Sequence, residues 1–201
     1  RFGKDFDLED EKSILALADT VYEREGHVDV LVNNAVLRCM NGYTDTAENF
    51  DRSMLANATG LFVISRAFGD RMAKSGKGGS IINIGSYMGI LGPDYTLYEG
   101  TDMCPNGAAG DYFFHKGGMI TLTRFMAGRY GKAGVRVNCL NLGGLFNNQP
   151  EGFLERYAKM NYLGRMADEN DIQGALVFFA SDASSYITGM SLNIDGGYTA
   201  R

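Results

Sequence analysis

The chain is poor in the residues that build metal sites and disulfide frameworks. Its three cysteines, Cys39, Cys104 and Cys139, are odd in number and form no CxxC pair. A disulfide scaffold or zinc site is thereby disfavoured, and a reduced, cytoplasmic setting is expected. Two histidines, His27 and His115, stand too far apart to chelate, so no metal is expected. Basic residues are outnumbered, 19 against 24 acidic ones, for a net charge of -5, which argues against a nucleic-acid partner. Long apolar runs are absent too: "GLFVI" and "SIINIG" fall far short of a membrane span. No secretory signal is visible, although the chain starts at Arg1 and that silence carries little weight. What remains is 201 residues, 45% hydrophobic and 21% charged, the profile of one globular domain with a real core.

Short apolar runs alternate with amphipathic stretches. "DLEDEKSILALADTVYEREG" sets Ile14, Leu17, Ala18 and Val21 on one face behind an acidic first turn, which predicts a helix. "HVDVLVNNA" reads as a strand buried on both faces. A long helix is expected over about 46–74, entered at Thr44 or Thr46 and closed near Gly76. "GGSIINIGS" and "GVRVNCLNLG" are further strands, separated by a helix that starts near Tyr112. Helices near 150–162 and 168–182 precede a last strand, "MSLNID". Strands spaced by helix-length segments predict an α/β fold, a doubly wound parallel sheet of the Rossmann type in one domain. In such sheets ligands bind beyond the carboxyl ends of the strands. That rim holds Asn33, Asn34, Ser86, Asn141, Gly143 and Gly144.

One helix carries a pair suited to proton transfer. Tyr112 and Lys116, at i and i+4, share a face. A free phenol with a pKa near 10 is a poor base, and lowering it by about three units requires roughly 4 kcal/mol. A unit charge about 4 Å away, at an effective dielectric near 20, supplies about that much. Among 11 tyrosines the spacing alone is weak, and a half-buried tyrosine beside a snorkelling lysine reads equally well.

The company of the pair is more specific. "VLVNNA" (30–35), "MLANATGLF" (54–62), "GSIINIGS" (79–86), "YFFHK" (112–116), "VRVNCLNLGG" (135–144) and "ITGMSLNIDGG" (187–197) resemble, in order, the signatures of the short-chain dehydrogenase/reductase superfamily. The resemblance implies an oxidoreductase that moves a hydride between NAD or NADP and a carbonyl or alcohol. It makes Tyr112 the general acid/base, Ser86 the hydroxyl on the substrate oxygen, Lys116 the tuner of Tyr112 and a ribose ligand, and Asn57 the anchor of a relay water. It puts Asp7 and Leu8 at the adenine, Asn34 and Ala35 along the cofactor, and Leu142, Gly143 and Leu145 beside the nicotinamide. Plainer readings stay open, with Asn57 bracing a helix and Asp7 serving as an N-cap.

Departures from the pattern matter as well. No glycine-rich phosphate loop precedes residue 33, so the chain reads as an N-terminally incomplete Rossmann-type domain over 1–201, with NAD and NADP indistinguishable. Val36 replaces a glycine, Asn147 a threonine, and Leu142 a proline, which suggests a looser nicotinamide loop. Ser86 and Tyr112 are unusually far apart, and the intervening stretch is rich in hydroxyls and acids. Tyr98, Glu99 and Asp102 are its candidate substrate ligands, with Tyr95 beside them and Gly100 and Gly107 as hinges. Its polarity predicts a sugar-like small-molecule substrate, and its acids disfavour a multiply anionic group directly beneath it. "YEGTDM" and "GGLFNNQPEGFLERY" are similar to reductases of bacterial surface-glycan and flagellin-sugar biosynthesis. A non-catalytic nucleotide-binding relative and a sugar epimerase or dehydratase are the alternatives. Apolar residues beyond one face of two helices (Leu61, Phe62, Ile64, Phe68 and Met72; Phe113, Ile120, Phe125 and Met126) predict a homodimer or homotetramer, with the last strand as a second contact.

Overall fold

The computed structural model describes residues 6–200. Four parallel strands, β1 (Val30–Asn33), β2 (Gly79–Ser86), β3 (Val135–Leu142) and β4 (Ser191–Ile194), form a sheet in the order β1-β2-β3-β4. Six α-helices accompany them among the described residues: α1 (Glu11–Glu25), α2 (Ala47–Met54), α3 (Leu61–Ser75), α4 (Gly110–Tyr130), α5 (Glu151–Met160) and α6 (Glu169–Ala180).

Alternation along the central strands sends successive side chains to opposite faces. Ile81, Val135 and Val137 meet Met72 of α3 and Met126 of α4, whereas Ile82 and Leu140 meet Phe179 of α6. Both faces are therefore covered by helices, as the near-continuous apolar strands required. The edge strand differs from expectation. β1 is only partly buried, with Val32 39% exposed, because no strand pairs with its outer edge among the described residues.

The expected 46–74 helix forms, with a local change of pitch. Thr46 caps α2 by accepting from the Asn49 N–H, and Gly76 ends α3 in the left-handed conformation at φ 71°. Between α2 and α3, Leu55–Gly60 is wound as a π-helix and carries Asn57. Such widened turns concentrate at functional sites. Gly60 lets this turn press on the chain ahead of α1, since a Cβ there would lie 2.4 Å from the Leu8 carbonyl oxygen.

The apolar stripe assigned to self-association belongs mostly to the core. Leu61, Ile64, Phe68, Met72 and Met126 are buried within the chain, as α3 and α4 pack against α1 and the sheet. The large apolar residues that α4 does expose are Phe114 and Phe125. A second exposed set, Val177, Phe178, Tyr186 and Met190, lies on α6 and the approach to β4.

Candidate active site

Ser86 is the last residue of β2, 6% exposed, and its Oγ accepts from the Met88 N–H at 3.2 Å. A 3₁₀ turn, Tyr87–Gly89, leads away from it and packs onto α4. Gly89 permits that approach, since a Cβ there would stand 2.6 Å from the Lys116 carbonyl carbon. The strand end with Ser86 and the helix with Tyr112 and Lys116 are thus locked together.

Lys116 is 3% exposed, and its Nζ donates to the Ile84 carbonyl of β2 at 2.6 Å. The same Nζ lies 5.6 Å from the centre of the half-buried Tyr112 ring, so the i, i+4 pair meets as the helix geometry required. Burial pulls the Lys116 pKa down to about 8; a neighbouring Arg38 charge pulls the same way, and Cys139 opposes it.

Asn57 points its side chain at backbone. Its Oδ1 accepts from Leu37 N–H at 2.8 Å, and its Nδ2 donates to the Leu37 carbonyl at 2.7 Å and to Ser53 Oγ at 3.0 Å. The amide therefore fixes the loop after β1 against the π turn, which is the bracing role read as the plainer alternative.

Asn33 and Asn141 are tied into the scaffold, and Asn33 also lines the cavity at the rim. Asn33 donates to Ser65 on α3 and Asn83 on β2, Asn83 donates to Thr123 on α4, and Asn141 donates to Ser191 and Asn193 on β4. Buried amides need partners on both atoms, and Asn83 and Asn141 have them. Asn34 and Ala35 are exposed and line that same cavity with Leu8, Asn57, His115 and Lys116. Asp7 Oδ1 accepts from Glu9 N–H, and Asp10 is the residue that caps α1.

The loop after β3 is firmer than the missing proline suggested. Gly143 N–H donates to Ile194 at 2.8 Å, Gly144 N–H to Tyr157 Oη at 2.7 Å, and Phe146 N–H to Ala167 at 2.9 Å. Three elements pin it, so backbone rigidity comes from hydrogen bonds instead of a ring. Leu142 packs into the Ile82–Leu140–Phe179 cluster, Gly143 is half-buried, and Leu145 is exposed.

The stretch between Ser86 and Tyr112 is anchored on an aromatic wall. Leu97, 2% exposed, packs with Tyr87, Phe153, Tyr157 and Tyr198, and Arg156 donates to the Leu97 and Glu99 carbonyls. Tyr98 leans on Phe153 at 5.5 Å, and burial raises its pKa to about 12. Gly100 and Gly107 have φ of 68° and 78°, and the carboxylates of Glu99 and Asp102 face solvent. The wall holds Tyr98 against Phe153, and the two acids stand outside it.

Sequence reasoning passed over two neighbours of the pair. His115 is 3% exposed with neither ring nitrogen hydrogen-bonded, and burial, aided by Lys116, lowers its pKa to about 4. Its ring meets Tyr112 edge-on at 5.2 Å. Arg38 holds its guanidinium 5.1 Å from the Tyr112 ring centre. His115 was legible in principle, as the residue preceding Lys116; Arg38 gave no local sign.

The donor set fits a nicotinamide dinucleotide. An ammonium has three N–H donors, and Lys116 spends one on Ile84, leaving two toward the cavity edged by Asn34 and Ala35. No group of histidine, cysteine, aspartate or glutamate suited to a metal occurs among the described residues.

Comparison with known proteins agrees with this geometry. The family model described as "Enoyl-(Acyl carrier protein) reductase" matches residues 4–199. D-threitol dehydrogenase of Mycolicibacterium smegmatis is 32% identical, over 97% of this chain and 72% of the relative. Post-translational flagellin modification protein A of Campylobacter coli is 30% identical, over 96% and 75%. Among solved structures, a short-chain dehydrogenase from Leptospira borgpetersenii with bound NAD+ superposes with a TM-score of 0.87 at 31% identity, over 96% of this chain and 73% of that one. A gluconate 5-dehydrogenase from Burkholderia cenocepacia, in complex with NADP and tartrate, gives 0.85 at 27%, over 98% and 74%. The chain belongs to the short-chain dehydrogenase/reductase family. It is an NAD(P)-dependent oxidoreductase of the sugar-related branch.

Proposed function

We propose that Tyr112, Ser86 and Lys116, with Asn57 bracing the loop after β1, carry out reversible oxidation of a secondary alcohol on a polyhydroxylated, sugar-like substrate. The observation that carries this reading is the Tyr112–Lys116 pair held at the carboxyl end of β2, against the strand that ends in Ser86. A bound nicotinamide supplies the hydride acceptor for oxidation or donor for reduction. In reduction the Tyr112 hydroxyl gives its proton to the carbonyl oxygen as negative charge builds there, and in oxidation the phenolate takes it back. Ser86 Oγ donates a hydrogen bond to the same oxygen. The Lys116 ammonium favours the phenolate and holds ribose hydroxyls with its spare donors. Asn57 acts through the loop after β1, keeping Asn34 and Ala35 in place along the cofactor, with Leu8, Gly143 and Leu145 at its ends. Asp7 and Leu142 contribute backbone only.

Polyol-oxidising and flagellin-modifying relatives support a hydroxylated substrate. Tyr98 forms its floor, and Glu99 and Asp102 reach it when the Gly100–Gly107 segment closes. The chain works as one domain, in a reduced compartment such as the cytoplasm, where its three free thiols persist. No helix among the described residues is long and apolar enough to cross a membrane. Self-association buries Phe114 and Phe125 on α4, with the α6–β4 patch as a second contact, giving a homodimer or homotetramer.

The test is Tyr112→Phe in the full-length protein, assayed on a panel of polyols with NAD+ and NADP+ by the absorbance of the reduced nicotinamide. Turnover falls by about 10²–10⁴-fold while cofactor affinity holds, because only the proton is lost. Near-normal turnover would remove Tyr112 from the chemistry.

A further inference from the structure

The rim of the site carries a second cation beside Tyr112. Arg38 lies in the loop after β1, exposed, with its guanidinium carbon 5.1 Å from the centre of the Tyr112 ring. Arginines 52, 66, 71 and 165 form ion pairs with carboxylates, whereas Arg38, like Arg136 and Arg156, forms none among the described residues. The placement has an electrostatic cost. Arg38 sits near enough to disfavour the charge on Lys116, the ammonium on which Tyr112 depends, and it acts on His115 and Cys104 as well. Two cations facing one half-buried phenol repel each other until an anion joins them. A guanidinium is also the side chain whose flat, forked donors match a carboxylate.

We propose that Arg38 binds a carboxylate of the substrate, so that the enzyme acts on a sugar acid in preference to a neutral polyol. This rests on the reading of Tyr112 as the proton-transfer group. The carboxylate sits on the Tyr112 side of the loop, apart from Glu99 and Asp102, and a single negative charge there relieves the repulsion on Lys116. Arg38 is a specificity-determining residue; the hydride and the proton move without it.

The experiment compares the native full-length protein with Arg38→Gln and Arg38→Lys. Probes are D-gluconate, D-galactonate and D-glucuronate, paired with the neutral polyols D-glucitol and galactitol, in the presence of NAD+ or NADP+. Calorimetric binding and steady-state turnover are both measured. Arg38→Gln weakens the acids by about 10- to 100-fold, the worth of a lost charge-assisted hydrogen-bond pair, chiefly in KM. The polyols change by less than about twofold, and Arg38→Lys recovers part of the loss. Acids and polyols falling together in kcat would show instead that Arg38 serves the ionisation of Tyr112. Wild-type binding of no acid more tightly than its neutral partner would also overturn the inference. Binding of acids that depends on Arg38, with no turnover of any probe, would uphold Arg38 and sink the proposed reaction alone.

Discussion

Replacing Lys116 by methionine makes the protein more stable near neutral pH and less active, and the gain has a defined pH dependence. Lys116 is almost fully buried, and its pKa is lowered from 10.5 to about 8 chiefly by desolvation. A lysine depressed in the native state binds its proton more tightly in the unfolded chain. Between about pH 8 and 10.5 the unfolded state therefore holds the proton that the native state has released. Stability contributed by this group rises with pH across that window. Each pKa unit is worth about 1.4 kcal/mol, so the wild type recovers on the order of 3 kcal/mol over the interval. Methionine fills similar volume without the charge and shows no such rise. Packing and the lost bond to Ile84 add terms that do not vary with pH, and they cancel in the slope. The assay is urea unfolding of wild type and Lys116→Met at several pH values from 7 to 10.5, with the difference in free energy plotted against pH. The variant's advantage shrinks by about 3 kcal/mol across the range while its turnover is lost throughout. A difference flat to within about 0.5 kcal/mol would refute the reasoning, because the buried charge would then cost nothing.

Two further outcomes follow from the scaffold. Tyr157→Phe keeps the aromatic stack but strands the Gly144 N–H, costing about 1–3 kcal/mol. Calorimetry should show Tm lower by roughly 2–10 °C and limited proteolysis a new cut near 143–148; an unchanged Tm would mean another acceptor takes over. Phe125→Asp places a charge on the exposed α4 patch, so light scattering should report smaller particles than the wild type while the fold persists by circular dichroism. A wild type that is already monomeric at micromolar concentration would dismiss the interface.

The pattern of residues along the chain was enough to set the elements and their class. Short, largely apolar runs between helix-period stretches dictated β2, β3 and the helices around them, because a central strand covered on both faces takes most of its side chains from the apolar set. The Tyr112–Lys116 spacing likewise forced the two side chains together, since a helix repeats every 3.6 residues whatever surrounds it. Long-range placement was different in kind. Nothing local to Asn33 or Asn141 distinguishes a cofactor ligand from a strut; their partners, Ser65 and Asn83 for one and Ser191 and Asn193 for the other, are assigned by packing. The firmness of the loop after β3 depends on Tyr157 and Ile194, 13 and 51 residues from their partners Gly144 and Gly143, which no periodicity links to it. Burial of the α3 stripe was decided by α1 and the sheet closing over it, so a face that looked spare for a partner was already filled. The position of Arg38 over Tyr112, 74 residues later in the chain, is a product of folding alone: a cation's neighbours are fixed by three-dimensional proximity, and charge interacts through space without regard to sequence distance.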